Sequence, residues 1–310
     1  RGSLGNTTVS IADGATLAYY RNNTMTLANT VSSSGTGTGT SGGTIEFLGT
    51  GNSGQSDYRM GSGSTNFTGS VNVRSGARLG ITDSNAVGSG TITVDAGGSV
   101  FLALGATNDV ANTISNNFII AGDGWLEGAG RLGALRMISG NVTGNVTLAG
   151  DARIGAWPGQ GGIISGVISD GGNGYGLEKA YGGGITLTGT NTYTGATTLR
   201  GGTLYVGSLA NGGTASSIGA SSNDAANLIF AGGTLAYTGS SVTIDRNFQF
   251  ANGSNNTIEV RDASATLTLS GTSPSSSGAL IKRGAGTLEL TGAHNYSGLT
   301  NVAQGTLLVS

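Results

Sequence analysis

The chain of 310 residues holds a single histidine, His294, and no cysteine. Every Ser-His-Asp, Cys-His or imidazole-metal mechanism would therefore have to run through one position. Where two stretches of the chain align, the counterpart of His294 is Asn191, two residues before a tyrosine in both. A polar residue replaced by another polar residue predicts a turn position, not a catalytic base. With one His, no Cys and no HExxH spacing, neither a metal site nor a cofactor is expected. A GxGxxG match at Gly128, Gly130 and Gly133 would cradle a dinucleotide only between a buried strand and a helix. The segment that follows, ALRMISGNVTG, does not read as that helix, so a turn is expected. DGGNGYGL at 170–177 is similar to a Ca²⁺-binding nonapeptide turn, but it is single and has Gly176 where that pattern needs Asp. It too is expected to be a plain turn.

Carboxylates need closer scrutiny, because stacked coils bring together acids that are distant in sequence, and a pair ~5 to 9 Å apart suffices for glycoside hydrolysis. There are 16 Asp and Glu in all, and the tightest grouping is Glu259, Arg261 and Asp262. These are expected to form a solvated strand face with a weak ion pair. No catalytic residue is assigned. For binding, Tyr19, Tyr20, Trp125 and Trp157 are candidate platform residues for a carbohydrate or a protein, with caps and stacked ladder aromatics as the alternative. Arg131, Arg136 and Arg153 form the one concentration of like charge and suit an anionic partner, although Glu127 and Asp151 flank them.

The elements that must position these residues follow from composition. Sixty glycines, two prolines and 10% charged residues disfavour long helices, since Gly costs about 1 kcal/mol per helical position and Ser, Thr and Asn compete for backbone hydrogen bonds. The 36% apolar content is more than disorder would carry. A net charge of −2, with charges scattered singly, gives no footprint for nucleic acid. No apolar run approaches the ~18 to 20 residues of a spanning helix. The N-terminus, RGSLGNTTVS, lacks the order of a signal peptide, and the expectation is a mature fragment.

A short unit recurs along the chain: a small residue, Thr, Leu or Ile, any residue, then a second apolar residue. It appears as GATLAY at 14–19, GGTIEF at 42–47, GGTLYV at 201–206, GGTLAY at 232–237, NNTIEV at 255–260, SATLTL at 264–269, AGTLEL at 285–290 and QGTLLV at 304–309. Apolar residues two apart share one face of a strand. In the C-terminal third the units start about 20 to 30 residues apart, which is one coil of a solenoid that hides each apolar face by stacking at ~4.8 Å. Thr and Asn then stack in polar ladders, and low charge avoids like-charge repulsion between coils. A longer repeat aligns 177–207 with 280–310 without gaps, with 13 of 31 positions identical. Lys179 pairs with Lys282, Gly189 with Gly292, Tyr193 with Tyr296, Gly195 with Gly298 and Leu204 with Leu307. A degenerate copy at 66–79 keeps Phe67 and Gly69 in the Tyr and Gly slots. The unit predicts three strands separated by turns.

The pattern K-x(3)-G-x-[IL]-x-L-T-G-x(3)-Y-[ST]-G-x-T followed by G-T-L resembles the autotransporter-associated β-strand repeat of type V secreted passenger domains in Gram-negative bacteria. The resemblance spans roughly residues 60–310. It implies an all-β, right-handed, single-stranded parallel β-helix, expected here as one solenoid over 1–310 without a signal peptide or translocator barrel. It also implies export through the periplasm to the cell surface, the full-length protein being tethered by a C-terminal outer-membrane barrel. The expected role is a non-enzymatic adhesin or self-association module. Its partners would be a host or bacterial surface protein or glycan, or a second copy. The alternatives are an inert stalk that displays another region, and a polysaccharide lyase or hydrolase built on a β-helix.

Overall fold

Short strands with apolar residues two apart cannot bury that face alone, and the chain solves this chiefly by parallel pairing of strands one coil apart. A computed structural model describes residues 4–5, 7–34, 42–50, 56–61, 63–64, 66–105 and 112–310. They fall into two units, Arg1–Ile154 with Gly161–Ile163, and Gly155–Gln160 with Ile164–Ser310. Each is a parallel β-solenoid. Among the described residues there is no α-helix, only one 3-10 turn at Ala225–Asn227.

In the first unit one parallel face runs through Thr16–Tyr20, Thr44–Leu48, Ser70–Val73, Ile92–Val94, Phe118–Gly122 and Val146–Gly155. Its inward row stacks Ile45 on Val71 and Ile92, then Phe118 and Val146, all shielded from solvent. A second face carries Met25–Leu27, Asp57–Met60, Arg78–Ile81, Ser99–Ala103 and Leu135–Ser139. In the second unit one face stacks Gly184–Leu187, Thr203–Val206, Thr234–Tyr237, Asn255–Val260, Ala279–Arg283 and Thr300–Val302. Another stacks Val242–Ile244, Thr266–Leu269, Thr287–Leu290 and Thr306–Val309. There Leu267, Leu288 and Leu307 form one ladder while Thr266, Thr287 and Thr306 form the polar one beside it. Each fully buried Leu contributes roughly 1.5–3 kcal/mol. Every short unit read from the sequence forms a strand.

The long repeat differs from its expected three strands. Residues 177–207 contain four, Leu177–Ala180, Gly184–Leu187, Thr197–Leu199 and Thr203–Val206, and 280–310 share five. The reason is coil length: Leu177 already pairs with Thr197, so the repeat exceeds one coil and its end lies on its own beginning.

That overlap explains the repeated residues. Lys179, 1% exposed, donates from Nζ to the carbonyls of Ala180 (3.0 Å), Tyr181 (2.9 Å) and, one coil on, Gly201 (2.9 Å). Lys282 makes the same cage with Arg283 (2.7 Å), Gly284 (2.8 Å) and Gln304 (3.0 Å). The buried Tyr193 hydroxyl lies 2.7 Å from Thr197 Oγ1, and Tyr296 lies 2.9 Å from Thr300 Oγ1. Gly195 and Gly298 sit where a Cβ would strike the backbone of the preceding coil. Asparagines act as staples: wholly buried Asn191 accepts from the Ile168 N–H (2.8 Å) and donates to the Ser217 carbonyl (2.7 Å).

One coil is long. The partners Thr203 and Thr234 stand 31 residues apart, and the extra chain is held by Arg246, 1% exposed. Its guanidinium donates to the carbonyls of Ala210, Thr214, Gly219 and Ser221 and to Ser221 Oγ, at 2.8–3.2 Å. No carboxylate pairs with it in this cage. Replacing Arg246 by Met leaves those carbonyls unsatisfied, and a loss of about 3 kcal/mol or more is expected, read as a lower denaturant midpoint.

Burial pulls the Lys179 ammonium down to about 7 and Lys282 down as well, against roughly 10.4 in an unfolded chain. Between about pH 7 and 10 the unfolded state therefore binds more protons than the folded one, and stability rises with pH. Below about 7 the Lys179 contribution is flat. The denaturant midpoint should climb over that window in the natural chain, and the climb should shrink in Lys179→Met.

Candidate interaction surface

Interior side chains so thoroughly engaged leave the outer faces and turns to do the chemistry. In the first unit the strands Asp57–Met60 and Arg78–Ile81 pair so that Asp57 faces Arg78. Asp57 receives Arg59 (3.1 Å) and Arg78 (3.0 Å), and Arg78 also reaches Glu127 (3.0 Å), which in turn binds Arg136 (3.0 Å). The Arg78 guanidinium lies 4.4 Å from the Trp125 ring centroid and 5.2 Å from that of Phe101. Burial alone would loosen the Arg78 proton, but Asp57 and Glu127 outweigh it and hold the group charged. Trp125, 4% exposed, donates from its indole N–H to the Gly76 carbonyl (3.0 Å). Of the three candidate arginines, Arg136 is thus absorbed by Glu127, Arg131 lies 3.6 Å from Asp123, and Arg153 donates to the Arg131 carbonyl. The GAGRLG segment contributes to a small antiparallel hairpin, Leu126–Glu127 with Gly130–Arg131, as the turn reading expected.

The candidate aromatics divide. Tyr19 is buried, stacked on Phe47 (5.5 Å) and close to Tyr58 (6.4 Å), whereas Tyr20 is 64% exposed. Trp157, in the second unit, is 40% exposed and stacks on Tyr181 with ring centroids 5.9 Å apart. Sequence reasoning missed Tyr181 because the repeat alignment places Gly284 opposite it. It also missed Tyr205, over whose ring the Arg261 guanidinium lies at 5.5 Å. Arg261 also pairs with Glu259 (3.5 Å), the weak strand-face ion pair expected of that grouping.

His294 is not in a turn. It begins the strand His294–Tyr296, opposite Ser273, with its ring 5.2 Å from Phe248 in a stacked arrangement. Its Nδ1 lies 3.2 Å from Ser273 Oγ, while Nε2 is shielded and has no partner. A planar ring was favoured here by the aromatic stack beneath it, which a polar-for-polar alignment does not display. Burial lowers its pKa and so favours the neutral ring. Ser273 is 1% exposed and no acid orients the imidazole, so this pair cannot present a nucleophile to a substrate.

Carboxylates are employed elsewhere. Arg74 bridges Glu46 (2.6 Å) and Asp95 (3.2 Å), and Glu178 holds Arg200 (2.7 Å). Asp245 accepts from the Gly212 N–H (2.8 Å). Asp170, in the DGGNGYGL turn, accepts from the N–H groups of Gly172, Gly174 and Tyr175 and from Thr194 Oγ1 at 2.7–3.0 Å. Burial would raise its pKa, but these bonds prevail and lower it. Bonds from Ser264 likewise lower Asp262. A glycosidase acid needs the opposite direction. Among the described residues no three His, Cys, Asp or Glu are grouped to hold a metal ion, and no helix is long and apolar enough to cross a membrane.

Comparison with known protein families matches the Passenger-associated-transport-repeat at residues 177–206 and 280–309, the segments with the paired lysine cages. The chain is 40% identical over 245 residues to the adhesin BmaC autotransporter of Brucella suis biovar 1 (strain 1330). That alignment covers 77% of this chain and 6% of the relative. No solved structure matches.

The Asp170 carboxylate serves its turn, and its lowered pKa fixes a sign. The stability it adds is present above the unfolded value of roughly 3.9 and is lost as pH falls through the folded one. Asp170→Asn should cost about 1–3 kcal/mol at pH 7 and remove that acid-limb dependence, measured by denaturant titration between pH 3 and 7.

Proposed function

The chain is a stretch of autotransporter passenger with two passenger-associated transport repeats, and from that premise we propose that it works at the bacterial surface as a non-enzymatic adhesion module. The observation that carries this reading is a 40% identity to an autotransporter adhesin over 77% of this chain, although only 6% of that relative is spanned. Physical features support it. The carboxylates described above cap turns or pair with arginines, and the single histidine faces a buried serine with no orienting acid. A parallel solenoid whose interior polar groups are largely satisfied within and between coils can present broad, low-charge outer faces rich in Thr and Asn, suited to extended hydrogen bonding with a host or bacterial surface partner, or with a second copy. One solenoid over residues 1–310, export through the periplasm and tethering by an outer-membrane barrel complete the proposal.

The test compares cells that display this segment on a translocator barrel with cells that display the barrel alone. Displaying cells should show several-fold higher attachment to matrix-coated surfaces or higher autoaggregation. Equal attachment and aggregation would sink the adhesion reading in favour of a stalk. Release of reducing or unsaturated ends from a polysaccharide panel would overturn the non-enzymatic part.

A further inference from the structure

Trp157 and Tyr181 lie in two turns of the second unit brought together by backbone bonds. The Gln160 N–H donates to the Trp157 carbonyl (2.8 Å), closing one turn, and the N–H groups of Gly183 and Gly184 donate to Ala156 and Gln160 (2.9 and 3.1 Å), tying the other to it. Tyr181 has φ +63°, one of two described non-glycine residues in the left-handed region. A bulky residue held there costs on the order of 1–3 kcal/mol. The sibling repeat shows what the fold alone requires. Its lysine cage is the same, and its residue at this place is Gly284 with φ +78°, which adopts that conformation without strain. The tyrosine is therefore dispensable to the cage and is kept against a backbone penalty that its stacking on Trp157, about 0.5–1.5 kcal/mol, at best offsets. Strained residues of this kind cluster at active and ligand-binding sites.

The chemistry of the place is specific. One indole is packed by Tyr181 and still 40% exposed. The two turns, Trp157-Pro158-Gly159-Gln160 and Tyr181-Gly182-Gly183, carry no charged side chain. Three glycines beside the rings leave a low floor, and Gly182 lies so near the Pro158 ring that a Cβ would stand 2.8 Å from it. A flat aromatic face flanked by uncharged turn residues suits the C–H face of a sugar ring better than a phosphate or an ionic peptide. We propose that Trp157 and Tyr181 form a binding platform for a neutral sugar ring of a surface glycan. This rests on the adhesion reading and gives it a ligand class.

The purified chain is applied to a printed glycan array and titrated with N-acetyllactosamine and chitotriose while tryptophan fluorescence is followed. The chain has two tryptophans and Trp125 is buried, so a change on adding sugar reports Trp157. Binding to at least one neutral glycan is expected, weakened tenfold or more in both Trp157→Ala and Tyr181→Gly. The second variant installs the sibling repeat's residue and should match or exceed the natural denaturant midpoint, so it remains decisive if the first fails to fold. Absence of glycan binding by the natural chain, or binding unchanged in Tyr181→Gly, overturns the proposal. Attachment of displaying cells that survives periodate treatment of the matrix also overturns it while leaving the adhesion reading in place. Displaying cells that never attach sink that reading itself.

Discussion

Stacking at one strand spacing is the constraint from which the rest follows. Parallel coils bring each inward side chain against its counterpart in the next coil, and a polar group caught between them has no water to turn to. The fold strongly favours giving it a partner, because an unsatisfied buried group costs about 1–3 kcal/mol. Lys179, Lys282, Arg246 and Asn191 are the outcome. All four are buried, and all four bond to main-chain groups across coils or across a loop. The same spacing governs charge. Glu259 faces Arg283 and Arg78 faces Asp57, pairs of opposite sign, as neighbours at that distance require.

This arrangement separates maintenance of the fold from whatever the surface does. Lysine cages, Tyr-Thr pairs and close-approach glycines recur in both repeats, so they belong to the solenoid. Trp157, Tyr181 and the Tyr205–Arg261 pair lie outside that recurring set. Arg78 between Trp125 and Phe101 shows the other fate of aromatics: sealed by cation–π contact and two carboxylates, they stiffen a face and offer little to a partner.

The strand units were legible in the sequence because their signal is local: two apolar residues two apart, entered through a small residue. The fold class and the repeat pairing followed from it. The strand count of the long repeat was not legible, since it depends on where Leu177 meets Thr197 across a coil. His294 looked like a turn because alignment compares residue types and cannot see Phe248 beneath the ring. The candidate aromatics were found by type but not sorted by it. Tyr19 and Tyr20 are neighbours in the chain, and alternation along one strand buries the first and exposes the second. Tyr181 was invisible for the converse reason, since its significance lies in being where its sibling has glycine.

Each lysine cage draws two acceptors from its own coil and one from the next, Gly201 for Lys179 and Gln304 for Lys282. Such a cage cannot close on a partial coil. Gly201 and Gln304 lie 22 residues beyond their lysines, so each amino group lacks its third acceptor until the next coil is in place. Each cage therefore couples the order of one coil to that of the next, and unfolding either coil withdraws acceptors from the lysine they share.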